Sequence, residues 1–202
     1  MSEEQAWNRA LTLAWEAFRA GTTPVGAVVT SADGSIVAAG RGRRYEPTGP
    51  AGELANVHIA HAEINALARL DTSRHWEDHR LLTTLEPCGM CHGAAVQATL
   101  GAVSFAGPDP YGGTATLTWD CPQPSRRPLE ITGPLPDSRG AFATLLHIVW
   151  LMERGADHVV AEHSKAIPDF TDYAMAIRPD LVAAAVHDDY PAAWDLCVKA
   201  PW

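Results

Sequence analysis

Three patterns in this 202-residue sequence predict an α/β fold, with helices packed on a sheet and a helical extension at the C-terminal end. Strand-like and helix-like runs alternate β-α-β-α-β between residues 36 and 106, which is the order of crossover connections on a sheet. A hairpin signal stands just before them. Beyond residue 141 the chain is apolar at helical spacing, first strongly and then in shorter stretches. The division this suggests is 1–140 for the α/β domain and 141–202 for the extension, packed on the same domain or at a subunit interface.

The elements follow in order. Over residues 3–20, Trp7, Leu11, Trp15 and Phe18 fall on one face of a helix, and Gly21 stands where a C-cap glycine belongs. Pro24–Thr30 and Ile36–Gly40 read as strands joined through Asp33-Gly34, a hairpin turn. A loop rich in Pro and Gly runs from Arg41 to about Val57 and carries the one dense basic cluster, Arg41, Arg43 and Arg44. Residues 59–70 are predicted as a helix and 80–85 as a third strand. Pro87 stops that strand and suits a helix start, so residues 88–100 are predicted as a helix and 102–106 as a fourth strand. Seven of the fifteen prolines lie between Pro108 and Pro136, which predicts an irregular segment from 107 to 140, the size of a lid, binding loop or insertion. Phe142–Met152 is apolar enough for a helix buried in the core or between subunits. Residues 157–200 are helical in pattern, with breaks expected at Pro168, Pro179 and Pro191.

Composition narrows the function classes. Hydrophobic residues make up 47% and charged residues 19%, as in an ordinary globular protein. Formal net charge is −9, shared as −4 over residues 1–140 and −5 over 141–202. Proteins that grip a phosphate backbone carry a basic surplus, so the balance favours a small-molecule partner over nucleic acid. No apolar run reaches about eighteen residues, and the acidic start Met1–Gln5 lacks the pattern of a secretory signal. Four cysteines, two of them in a C-x-x-C pair, suit metal binding in a reducing compartment, and the cytoplasm is the expected location.

The chemistry is concentrated in His61-Ala62-Glu63 and Pro87-Cys88-Gly89-Met90-Cys91. One His and two Cys make a zinc set with a coordination position left open, as catalysis requires. Cys88 and Cys91 share the first turn of a helix, whose N-terminal field favours their thiolate forms. Zinc lowers the pKa of a bound water so that hydroxide forms near neutral pH. Glu63, beside the ligand His61 but not needed as one, can carry the proton from that water to a ring nitrogen and the leaving amine. The sum is hydrolytic deamination: hydroxide attacks an amino-bearing ring carbon and ammonia departs. Two other uses of the pair are weaker. A thioredoxin-like redox pair follows a first strand and has no such histidine. A structural zinc site needs a fourth ligand, for which His58, His92, Cys121 and Cys197 have no suitable spacing. His92 reads as a surface residue or a support to the ligands, and Cys121 and Cys197 as unpaired thiols.

The two motifs resemble the signature of the cytidine deaminase-like superfamily of zinc-dependent deaminases, H-x-E followed by P-C-x-x-C. The resemblance covers about residues 5–115. Thr84–Ala94 and Pro24–Val28 resemble the branch of tRNA adenosine deaminases and bacterial guanine deaminases. It implies a three-layer α-β-α fold around a five-stranded mixed sheet, one zinc per subunit held by His61, Cys88 and Cys91, Glu63 as proton shuttle, and a homodimer. That branch carries an Asn within a G-x-N-x pattern at the end of the second strand, where this chain has Gly42. Asn56 and Asn65 are possible replacements. Asp109-Pro110-Tyr111-Gly112-Gly113 is a candidate gate, with Tyr111 placed to stack on a base and Asp109 or Asp120 to accept from its N–H groups.

The function expected is a zinc-dependent deaminase of a free nucleobase or nucleoside, with a purine favoured. The alternatives are a tRNA adenosine deaminase, a deaminase of cytosine, cytidine or another aminated heterocycle, and an inactive deaminase-like scaffold that binds protein. The intact Glu63 argues against the scaffold.

Overall fold

The computed structural model describes residues 2–117 and 128–200. Helix α1 spans Glu3–Arg19, opened by a capping box in which Ser2 and Gln5 satisfy each other's backbone N–H groups. Gly21 takes a left-handed φ of 68° just past its end. Strands β1 (Gly26–Thr30) and β2 (Ile36–Arg41) form the expected antiparallel hairpin. Helix α2 (Ala62–Leu67), strand β3 (Arg80–Leu85), helix α3 (Gly89–Gln97) and strand β4 (Ala102–Gly107) follow.

The sheet has five strands in the order β2-β1-β3-β4-β5, where β5 is Glu130–Thr132. Pairs β1/β2 and β1/β3 are antiparallel, and β3/β4 and β4/β5 are parallel, so the sheet is mixed. Helices flank it, as the α/β prediction required. The core of one face is built on Trp7, Leu11, Val28 and Leu82 with the C-terminal helices, and that of the other on Val29, Ala66, Leu81 and Val103.

Four sequence expectations need correction. The segment 107–140 is not wholly irregular, because it contains β5. That strand is three residues long and lies at the sheet edge, pairing only with β4, so it leaves too little periodicity to read. Helix α2 is half as long as the predicted 59–70. His61 takes extended backbone as its N-cap, and the Arg69 and Leu70 amides bond three residues back, which tightens the last turn. His92 is buried rather than on the surface. Pro179 breaks nothing.

Helix α4 (Ser138–Glu153) begins on Asp137, whose side chain accepts from the Arg139 N–H. It is buried almost all round, as its apolar sequence predicts. Helices α5 (Asp157–Ala166), α6 (Pro168–His187) and α7 (Tyr190–Cys197) pack around it. Pro168 and Pro191 open helices, whereas Pro179 lies within α6. Thr171, Ala174, Ile177, Leu181 and Ala184 are buried on both sides of Pro179, so tertiary packing carries the helix through its missing hydrogen bond. No described helix is long and apolar enough to cross a membrane.

Two features aim these helices at the chemistry. The parallel strands β3 and β4 end side by side, and Pro87-Cys88 and Asp109 follow those carboxyl ends, where ligands gather in such sheets. A β-carbon at Gly107 would lie 2.7 Å from Thr144 Oγ1, so glycine there lets α4 cross directly over the end of β4.

Candidate active site

His61 precedes α2 and Cys88 precedes α3, each as the extended N-cap residue, while Cys91 lies in the first turn of α3. His61 Nδ1 is 3.8 Å from Cys88 Sγ and 3.5 Å from Cys91 Sγ, and the two sulfurs are 3.7 Å apart. Zinc with usual bond lengths and tetrahedral angles needs about 3.8 Å between sulfurs and about 3.6 Å between sulfur and nitrogen. The three side chains therefore fit zinc without rearrangement and can hold a metal ion. Hydrogen bonding from Cys91, then from His61, lowers the Cys88 thiol to about 4, which makes a thiolate available at neutral pH. Its Cys88 partner and burial push the Cys91 thiol up. The Cys88 hydrogen bond raises His61.

Glu63 is only 4% exposed, one residue into α2, and its Oε1 accepts from Thr83 Oγ1 at 3.2 Å. Burial raises its pKa, the direction that suits a group that must both take and return a proton. It lines one cavity with His61 and Cys88, of about 550 Å³, within the range of small-molecule sites.

The other predicted contacts separate. Asp109 and Tyr111 line that cavity. Tyr111 is 57% exposed and meets His158 edge-on, with 5.7 Å between ring centroids. Asp120 lies outside the described residues. Asn56 is exposed, at φ 56°, and does not line the cavity. Asn65 is used structurally: it accepts from the Leu54 N–H and donates to the Arg41 and Leu54 carbonyl oxygens. Gly42 does line the cavity, but a β-carbon there would overlap the Thr23 carbonyl oxygen. The local backbone thus leaves no room for the Asn of the related pattern.

The candidate gate is clasped rather than loose. Glu86 Oε2 accepts from the Asp109 N–H at 3.2 Å and Oε1 from the Ala115 N–H at 2.9 Å, while Thr114 donates twice to the Pro87 carbonyl oxygen. Glu86→Ala removes two hydrogen bonds to a side-chain carboxyl group and should cost about 1.5–3 kcal/mol of stability. It should also raise KM for whatever substrate is turned over; thermal unfolding with steady-state kinetics checks both, and unchanged values would mean that the loop is held by other contacts.

The sequence reading missed the far wall, which comes from the C-terminal helices. His147, Trp150 and Arg154 at the α4 end and His158 on α5 all line the cavity. Arg154 lies 4.0 Å from the centroid of the Tyr45 ring, Tyr45 is tilted against Trp150 at 6.0 Å, and Trp150 stacks on His147 at 6.1 Å. Burial pushes His147 down to about 4, partly opposed by Asp109. The signal was present as a stripe, His147, Trp150 and Arg154 at i, i+3 and i+7 on an otherwise apolar helix.

The basic cluster is also divided. Arg41 pairs with Glu46 and Glu16, and Arg43 with Glu46 and Glu53, so both charges are internally compensated. Arg44, hydrogen-bonded to His58 Nδ1 at 2.6 Å, and Arg154 have no carboxylate partner among the described residues, and both line the cavity.

Comparison with known proteins agrees with this geometry. A tRNA(Ile)-lysidine synthase of Deinococcus radiodurans is 40% identical over 112 residues, covering 54% of this chain and 18% of its own length. A guanine deaminase and a tRNA-specific adenosine deaminase of Bacillus subtilis are each 36% identical, over 52% and 55% of this chain and 65% of their own lengths. The matched region thus spans less than two thirds of each relative. A solved structure of NE0047 in complex with 2,6-diaminopurine shares 26% identity and a TM-score of 0.54, over 74% of this chain and 81% of its own. A family model described as the cytidine and deoxycytidylate deaminase zinc-binding region matches residues 1–106, and the chain belongs to that family of zinc-dependent deaminases.

Proposed function

We propose that this chain is a hydrolytic deaminase of a free nucleobase or nucleoside, with a purine as the favoured base. In this reading His61, Cys88 and Cys91 hold one zinc ion, which supplies the acidity that makes water a nucleophile near neutral pH. Glu63 takes a proton from the water whose oxygen adds to the amino-bearing ring carbon. It passes that proton to the ring nitrogen, then takes the second from the added hydroxyl and hands it to the departing amine, so the C–N bond breaks, ammonia leaves and a carbonyl remains. Thr83 holds one oxygen of Glu63 in place, and the exposed Tyr111 offers a face on which a base can stack.

The observation that carries the small-substrate reading is the cavity wall. The chain's own α4–α5 segment stands over His61, Cys88 and Glu63, leaving a space of about 550 Å³. The guanine deaminase relative and the diaminopurine-bound structure support the purine preference. A tRNA adenosine deaminase is the second reading, favoured by Arg44 and Arg154 at the cavity. Against it, the remainder of the basic cluster is neutralised by Glu46 and Glu53.

Ammonia release measured over free bases, nucleosides and tRNA at rising salt separates the two. The small-substrate reading expects turnover of a free base or nucleoside that changes little with salt. Turnover of tRNA alone, weakening steeply with salt, would replace it with the second reading.

A further inference from the structure

A second group of ligand-type side chains stands in the same region and shares no residue with the first. Asp109 follows β4, His147 is on α4 and His163 is on α5, and one ligand atom from each lies within 4.8 Å of the others. The two histidine rings are 5.5 Å apart. His163 is fully buried, and its Nδ1 lies 3.0 Å from the Val159 carbonyl oxygen one turn back. That carbonyl can only accept, so Nδ1 carries a proton, and in the metal-binding form of the ring Nε2 is the nitrogen that presents a lone pair. Among the described residues, His163 Nε2 is buried without a hydrogen-bond partner, and so is Nδ1 of His147, a residue only 6% exposed. Asp109 Oδ1 accepts from the Tyr111 and Gly112 N–H groups at 3.0 Å each, whereas Oδ2 takes no hydrogen bond among the described residues.

Buried imidazole nitrogens are ordinarily satisfied, and two orphaned ones on rings 5.5 Å apart, in a group that includes a carboxylate, call for an occupant. The supporting bonds have the pattern of metal ligands. His163 is oriented by a backbone carbonyl through its other nitrogen, and Asp109 is oriented by two backbone amides through its other oxygen. Two imidazoles and one carboxylate suit a divalent first-row transition metal, and three protein ligands leave positions open. Asp109 and His147 both line the cavity that contains Glu63, so those positions are within reach of a substrate there.

We propose that Asp109, His147 and His163 form a second divalent transition-metal site in the wall of the cavity. The two ligand sets have no atom in common, so the second site stands or falls apart from the cysteine site. Metal-free protein titrated with cobalt(II) tests it. Two equivalents per chain are expected, of which only one brings the thiolate-to-cobalt charge-transfer absorption. The Cys88→Ser/Cys91→Ser double variant should retain one equivalent with no charge-transfer band. Asp109→Asn and His163→Gln should keep the band and weaken the other equivalent by about 10-fold or more. If His163→Gln fails to fold by circular dichroism, Asp109→Asn, in a loop at the surface of the fold, carries the comparison. Saturation of the wild type at one equivalent, all of it with the thiolate band, would overturn the proposal and leave a buried water as the occupant.

Discussion

Replacing Glu63 with Gln should lower ammonia release by about 10²–10⁴-fold while the bound zinc stays at the wild-type amount. Gln has the volume of Glu and can still accept from Thr83 Oγ1, so the buried pocket around residue 63 is kept and only the proton carrier is lost. The same measurement separates this role from a structural one. A side chain that merely filled space would tolerate Gln and fail with Ala. Glu63→Gln within a few-fold of wild-type turnover would therefore remove Glu63 from the reaction, whatever the fate of Glu63→Ala.

Cys88→Ser should reduce affinity at the cysteine site by on the order of 100-fold or more and abolish turnover at ordinary zinc concentrations. A hydroxyl is a far poorer anion than a thiolate, and the ligand set loses one of its two sulfurs. Cys88 is the better choice than Cys91 because it is half-buried, whereas Cys91 is wholly inside, and replacement there would disturb packing as well. Atomic emission on dialysed protein reads the metal: about one equivalent less per chain than in the wild type is expected, and no loss would mean that Cys88 is not a ligand. Adding excess zinc should partly restore activity to this variant and not to Glu63→Gln. The two substitutions thus divide metal retention from proton transfer.

The motif residues were legible because zinc chemistry admits few residue types at few spacings, and the structure brings His61, Cys88 and Cys91 within 3.5–3.8 Å of one another. The α1 stripe and the β1–β2 hairpin were legible for a similar reason, since local periodicity and turn chemistry decide them. Strand β5 was not, because three residues at an edge, between Pro128 and Pro134, carry no period. Pro179 misled because its local cost is outweighed by five buried neighbours within α6. The cavity wall is the larger omission. Which face of α4 overlooks the metal ligands depends on its crossing at Gly107, a contact between residues 37 apart in sequence. Arg41 and Arg43 read as a basic surface until the fold supplied Glu46 and Glu53. The same dependence explains Asn65: its side chain is the right type for a substrate contact, but the fold commits all three of its hydrogen bonds to the Arg41–Leu54 backbone.

The central claim is that the site formed by His61, Cys88, Cys91 and Glu63 is where ammonia is released. Metal-free protein reloaded stepwise, with ammonia release and thiolate-to-metal absorption followed on the same samples, addresses it most directly. The account predicts that turnover of the best small substrate is absent without metal and returns in proportion to the cysteine-bound fraction. Ammonia release from metal-free protein, or a filled cysteine site with no turnover of any aminated base, nucleoside or tRNA, would contradict it.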